Sequence, residues 1–230
     1  MRRLAVIPAR GGSKGIPNKN LQIVGGQSLV CRAVMCAEEA QIFDRILVST
    51  DSVKIAEHLR QIGHHVPFLR SAESSSDATP TAAVIAEVLN VLGHVEDQFD
   101  TVTVLEPTSP MRTAEDVVST TLASEAEPYD AALTLSPVDL HFVASKQIAL
   151  TQCGVALQAC TKQAISASQP RQFLEPTFIR NGAAYSVRVE TFLATSSLLG
   201  TCARGIVLDR FLVNIDTFED LLEAQEFFAH

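Results

Sequence analysis

Through the first 135 residues, short continuous apolar runs alternate with stretches whose apolar positions recur every three or four residues. Leu4–Pro8, Ile46–Ser49, Val66–Leu69, Thr101–Leu105 and Ala131–Leu135 predict strands buried on both faces. Between them lie helical patterns. Ser28 is placed to cap a helix with Leu29, Ala33, Cys36, Ala37 and Ala40 inward, and Ser52 one with Ile55, Ala56, Leu59 and Ile62 inward. Thr79 followed by Pro80 starts a third, with Val84, Ile85, Val88, Leu89 and Leu92 as its stripe. Thr113 and Asp116 open a fourth as a capping box. Repeated β-α-β order implies an α/β fold, a mostly parallel sheet with helices on both faces.

The period is lost between Asp139 and Pro176, where charges thin out and glutamine recurs. We read 139–176 as a small lobe inserted into a single domain of residues 1–230, and as a contact between two copies of the chain. Phe178–Val187 and Ile206–Ile215 return to strand-like patterns. Thr217 caps a final helix whose buried side is expected to carry Phe218, Leu221, Leu222 and Phe228.

Composition narrows the class. Of 230 residues, 47% are hydrophobic, which excludes a disordered chain, and the net charge of −8 argues against a nucleic-acid binder. No run reaches the roughly 20 apolar residues of a membrane helix. Pro8 and Arg10 cut the N-terminal apolar run too short for a signal peptide. An odd five cysteines with no CxxC pair point to a reduced, cytoplasmic setting. Cys31 and Cys36 are expected inside a helix interface, and His64 and His65 in solvent. Charge is unevenly spread: Met1–Ala37 holds six basic residues and no carboxylate. That segregation suits a site for a small anion, and equally a solvated basic face.

Chemistry concentrates after the strands. PARGGSKGIPNKNL (Pro8–Leu21) combines three glycines, which let backbone N–H groups converge, with Arg10, Lys14 and Lys19, which make charge-assisted bonds to phosphate oxygens. It is neither GxxxxGK[ST] nor GxGxxG, which counts against a P-loop ATPase and a dinucleotide-dependent dehydrogenase. LEPTSPMRT (Leu105–Thr113) offers Thr108, Ser109 and Arg112 on a proline-stiffened loop, or simply a rigid turn. STDS (Ser49–Ser52) is accounted for by helix capping. Alternation puts Asn214 and Asp216 on one face of a strand end, where two oxygens suit a hard cation such as magnesium; turn chemistry before a capped helix explains them as well.

These motifs, with RNGAAYSV and NIDTFEDL and in this order, resemble the CMP-sialic acid synthetases, or acylneuraminate cytidylyltransferases, along the whole chain. The resemblance implies a Rossmann-like α/β domain with a dimerisation lobe over 139–176. It also implies CTP and a nonulosonic sugar acid as substrates, and Mg2+ dependence. By motif, Arg10, Ser13, Lys14, Lys19 and Asn20 correspond to the triphosphate loop, and Arg70 and Thr81 to positions near the pyrimidine. Glu106, Arg112, Arg171 and Asn181 correspond to sugar-acid or nucleotide contacts, and Asp216, with Asn214, to the metal site. Arg10, Lys19 and Asp216 carry the expected catalysis.

Two positions depart from the pattern: Glu106 where the sialic acid enzymes usually show Gln, and Asn214 where they usually show aspartate. His141-Phe142 also stands in place of a His-Pro pair, with Lys146 nearby. Glu106 keeps open a related nucleotidyltransferase using another nucleotide or a sugar phosphate. Asn214 keeps open a nucleotide-binding homologue without turnover.

Overall fold

A computed structural model describes residues 1–13, 15–71, 79–93, 98–159, 161–164 and 174–229. They divide into two compact units: Met1–Thr134 with Asn181–Ile206 and Phe211–His230, and Leu135–Arg180 with Val207–Arg210.

The first unit is built on β1 (Arg3–Pro8), whose four central residues are buried on both faces, as a continuous apolar run requires. It pairs in parallel with β4 (Arg45–Ser49), Val6 opposite Leu47, and with β5 (Thr101–Val104), Val6 opposite Val104. Strand β5 is flanked on its other side by β9 (Phe178–Arg188), which runs antiparallel to it with Val102 opposite Val187. The six-stranded order is β10-β6-β9-β5-β1-β4, with β6 at Ala131–Pro137 and β10 at Ala203–Val207.

Alternation along β1 sorts the core. Ala5, Ile7 and Val48 pack with α1 (Leu29–Glu39), α2 (Val53–Gln61) and α4 (Ala114–Glu125). Leu4, Val6, Leu47, Val102 and Val104 pack with α3 (Thr81–Gly93) and with Phe192 of α5 (Val189–Thr195) on the other face. Helices therefore cover both faces, as expected. A third cluster joins Ile16, Val24, Leu29, Met111, Val213 and Ile215 to Leu221 and Ala224 of α6 (Phe218–Phe227), clamping the Gly-rich segment against the C-terminal part of the chain.

Ser28 and Ser52 cap α1 and α2 by accepting from Cys31 N and Ile55 N, and Thr113–Asp116 forms the full capping box. Helix α3 begins at Thr81, one residue after the proline expected to open it. Several expectations are corrected. Val66–Leu69 is not a strand; Pro67, which lacks an N–H to pair, sits inside it. The Ile206–Ile215 pattern is strand only as far as Val207, so Asn214 and Asp216 lie on irregular chain rather than at a strand end. Ile62, Phe218 and Leu222 are exposed because they fall at helix termini or off the buried stripe. His64, expected in solvent, is folded inward by the bond from its N–H to Leu59 O, and burial pushes its imidazole below the ordinary histidine value against an opposing Glu38. A hairpin, β2 (Ile23–Val24) and β3 (Gln27–Ser28), was not anticipated. Its turn is Gly25-Gly26, both at positive φ, the pair that such a two-residue turn favours.

In the second unit, β7 (Ile148–Leu150) and β8 (Ala156–Gln158) form an antiparallel ribbon. The aperiodic stretch 139–176 falls inside this unit. Phe142, Leu150, Val155 and Ile179 are more than half exposed there. Among the described residues, no helix is long and apolar enough to cross a membrane.

Candidate active site

Beyond Pro8 the chain crosses the carboxyl edge of the parallel strands as the Gly-rich loop. Ala9 N donates to Ser49 O at 2.9 Å, so the loop leaves the sheet still tied to the end of β4. Gly11 N then donates to Asp51 Oδ1 at 2.7 Å. A β-carbon at Gly11 would stand 2.7 Å from Ser52 Cβ, an approach that no side chain allows. Buried Asn20 donates its Nδ2 to Arg10 O at 2.9 Å and closes the loop upon itself.

The loop, the start of α3, the Pro107–Thr108 turn and the segment at Asn214–Asp216 surround a cleft of about 360 Å3, within the range of small-molecule sites. Arg10, Lys19 and Arg70 supply its cations and Glu106 and Asp216 its carboxylates. Ser13, Asn20, Thr79, Thr81 and Asn214 add uncharged polar groups. Most of the residues expected for nucleotide and metal thus line one cleft, although they come from four separated parts of the sequence.

Lys19 and Arg70 are held by hydrogen bonds. Lys19 Nζ donates to Ile215 O at 2.8 Å and to Asp216 Oδ1 at 3.0 Å, which leaves one of its three donors for a ligand. Arg70 donates through Nη2 to Ser49 O at 2.6 Å and through Nε to Ser49 Oγ at 3.2 Å. Burial pushes its guanidinium below the ordinary arginine value, while the carboxylates of Asp51 and Glu87 oppose that shift. Asp216 has a side chain 71% exposed, so a carboxylate oxygen remains open to a ligand. Its backbone is fixed: the N–H groups of Thr217 and Asp216 donate to Asp220 and hold that carboxyl below its usual range.

Glu106 and Asn214 converge across the cleft. A side chain at Gly182 would meet Glu106 Oε2 at 3.0 Å, Ser109 Oγ at 3.2 Å and Asn214 Oδ1 at 3.6 Å. No three His, Cys, Asp or Glu residues among those described form a self-sufficient metal cage. Asp216 and Asn214 instead present two hard oxygens, a set that fits a magnesium ion completing its shell with phosphate and water.

Other expected residues do not reach the cleft. Arg112 is buried and donates Nη1 to Glu106 O at 3.0 Å and Ala183 O at 2.7 Å, bracing the proline-rich loop against β9. Asn181 turns its Oδ1 to Thr134 Oγ1 and to Ala183 N. Lys14 and Arg171 lie outside the described residues. In the sequence Thr79 reads only as a helix cap, and STDS, the motif that holds Asp51, as accounted for by the capping of Ser52. A larger hollow of about 640 Å3 lies between α3 and α5 and includes Asp100 and Met1, which precede β5 and β1. It is at the amino ends of those strands and gathers none of the motif residues.

Fold and cleft together define an α/β protein that collects cations and oxygen ligands at the carboxyl edge of parallel strands, where open α/β sheets bind their ligands. Residues 4–159 match the family described as cytidylyltransferase, and the chain belongs to that family. It is 38% identical over 117 residues to the CMP-N,N'-diacetyllegionaminic acid synthase of Legionella pneumophila, covering 51% of this chain and 50% of that protein. It is 28% identical over 225 residues to the N-acylneuraminate cytidylyltransferase of Streptococcus agalactiae (strain 2603 V/R), covering 96% of this chain and 52% of that protein. The chain spans about half the length of these curated relatives. Its fold is similar to that of a CMP:2-keto-3-deoxy-manno-octonic acid synthetase solved with CTP, with a TM-score of 0.74 and 17% identity over 100% of this chain and 99% of that one.

Proposed function

We propose that the protein joins CTP to a nonulosonic, sialic-acid-like sugar acid, giving the CMP-sugar and pyrophosphate. The observation that carries this reading is the meeting of Arg10, Lys19, Arg70 and Asp216 around one cleft in a chain of the cytidylyltransferase family. The names of its relatives, which make CMP derivatives of acidic sugars, supply the substrate class.

In this reaction a sugar hydroxyl attacks the α-phosphorus of CTP. The bond from that phosphorus to the bridging oxygen breaks, pyrophosphate leaves, and the hydroxyl proton is lost. Such chemistry depends on positioning and on neutralising charge. Arg10 and the remaining donor of Lys19 neutralise the triphosphate as charge builds on the leaving group. Arg70 and Thr81 face the nucleoside. Asp216 and Asn214 would hold magnesium, which would draw charge from the phosphate oxygens. Glu106 meets the sugar; an ionised carboxylate only accepts hydrogen bonds, so it favours a substrate with a hydroxyl or amino donor there. A nonulosonic acid other than N-acetylneuraminate follows as the preferred substrate.

The exposed apolar side chains of the second unit support a homodimer through 139–176. The four described cysteines are free, which suits a cytoplasmic protein. The test is pyrophosphate release from CTP with a panel of sugar acids and, in parallel, with the other nucleoside triphosphates. CTP-dependent release with an acid is expected. Turnover only with another nucleotide, or binding without turnover, would overturn the reading.

A further inference from the structure

The segment Ser49–Ser52 touches both the Gly-rich loop and Arg70, yet Asp51 is not among the residues facing the cleft. Ser49 O receives Ala9 N and Arg70 Nη2; Thr50 O receives Arg70 N at 2.7 Å; Asp51 Oδ1 receives Gly11 N; and Ser52 Cβ abuts Gly11. Capping of α2 uses Ser52, and the Thr50 hydroxyl accepts from Ser52 N. Neither explains a carboxylate at position 51. A negative charge behind a loop that binds phosphates is electrostatically unfavourable for the ligand, so its presence calls for a compensating task.

We propose that Asp51 is a positioning residue for the phosphate loop, its carboxylate oxygen fixing the Gly11 peptide and so setting where Arg10 and Ser13 stand. The geometry supports this directly. The Arg10 carbonyl and the Gly11 N–H belong to one peptide group; Asn20 donates to its oxygen and Asp51 accepts from its nitrogen, so the two side chains pin both edges of the peptide that joins Arg10 to Gly11. Asp51 reaches 40 residues along the chain to make this bond, so the loop is referenced to the end of β4 rather than to its own turns. The same carboxylate opposes the effect of burial on the charge of Arg70. For its ligand the proposal rests on the reading of the cleft as a CTP site; its structural part does not.

Asp51→Ala removes the acceptor, whereas Asp51→Asn keeps an oxygen on Gly11 N and removes only the charge. Two measurements on the purified full chain separate the outcomes: hydrogen exchange of peptides covering 9–22, and equilibrium binding of CTP with magnesium. Asp51→Ala is expected to speed exchange in 9–22 by at least about tenfold, with exchange in β1 and α4 unchanged, and to weaken CTP binding by about tenfold. Asp51→Asn is expected to stay within about threefold of wild type in both. Unchanged loop exchange in Asp51→Ala overturns the proposal, as does an Asn variant as impaired as the Ala variant, which would assign the effect to charge. A wild-type chain that fails to bind CTP would refute the function proposed above, while loop exchange would still decide the role of Asp51.

Discussion

Gly11→Ala isolates the fit of the phosphate loop from its chemistry, because it adds one methyl and removes no charge or donor. Gly11 does not sit at positive φ, so alanine meets no backbone penalty there and reduces the entropy of the unfolded chain. The added carbon would lie 2.7 Å from Ser52 Cβ and 3.1 Å from Ser52 Oγ. Apolar carbons rest at about 3.5–4.0 Å, so the loop or Ser52 must move by about 1 Å. Displacement of that size at a reacting centre costs as much as about a hundredfold in rate, and overpacking costs about 1–3 kcal/mol of stability. The expected result is a fall of about tenfold to a hundredfold in kcat/KM for CTP with a modest loss of Tm. The compensating change is Ser52→Gly. With that β-carbon gone, the next atom in reach is Ser52 Cα at 3.6 Å, an ordinary contact. Glycine remains an acceptable N-cap at a cost of a few tenths of a kcal/mol. The double variant should therefore recover to within about threefold of wild type. Steady-state pyrophosphate release with varied CTP and calorimetric melting read both quantities. A double variant no better than Gly11→Ala would refute the claim that this contact sets the loop.

Arg10→Ala and Lys19→Ala should each lower turnover by at least about tenfold in folded protein, through loss of a charge-assisted phosphate contact; near wild-type rates for both would remove the loop from the site. Asp216→Ala should be severely impaired, and Asn214→Asp should lower the magnesium concentration for half-maximal rate, which a metal titration checks. Glu106→Gln should shift relative turnover toward N-acetylneuraminate in a two-substrate competition. His64 is held below the ordinary histidine value, so the folded state binds fewer protons than the unfolded one as pH falls beneath about 6.5, and stability should fall with it. Denaturant titrations at pH 7.5 and 5.5 should show a smaller pH difference in His64→Gln; equal differences would sink the assignment.

The parallel core was legible because its strands are buried on both faces and read as unbroken apolar runs, and because Ser28, Ser52, Thr113 and Thr217 mark helix starts with side chains that the structure uses as caps. Period and capping are local properties, and local sequence carries them. Val66–Leu69 misled because an apolar run of four says nothing about whether a neighbouring strand is there to pair with it. Phe218 and Leu222 misled for a related reason: the last helix packs on a narrow stripe, Leu221 and Ala224, so apolar residues off that stripe stay in solvent.

The motifs mix two kinds of residue that spacing cannot separate. Arg10, Lys19 and Asp216 face the cleft, whereas Arg112 and Asn181, from equally distinctive motifs, bond to the backbone of Glu106 and Ala183 and to Thr134. Asn20 does both, lining the cleft while it holds Arg10 O. The division follows from desolvation. A buried guanidinium can pair only with what the protein brings to it, so Arg112 gives Nη1 to the carbonyls of Glu106 and Ala183, leaves its buried Nε unpaired among the described residues, and is the brace that carries Glu106. Lys19 keeps a donor in reserve because it has two partners, one carbonyl and one exposed carboxylate, for three N–H groups. For Arg112 the scaffold role depends on the meeting of β9 with the proline-rich loop, about 70 residues apart in the chain.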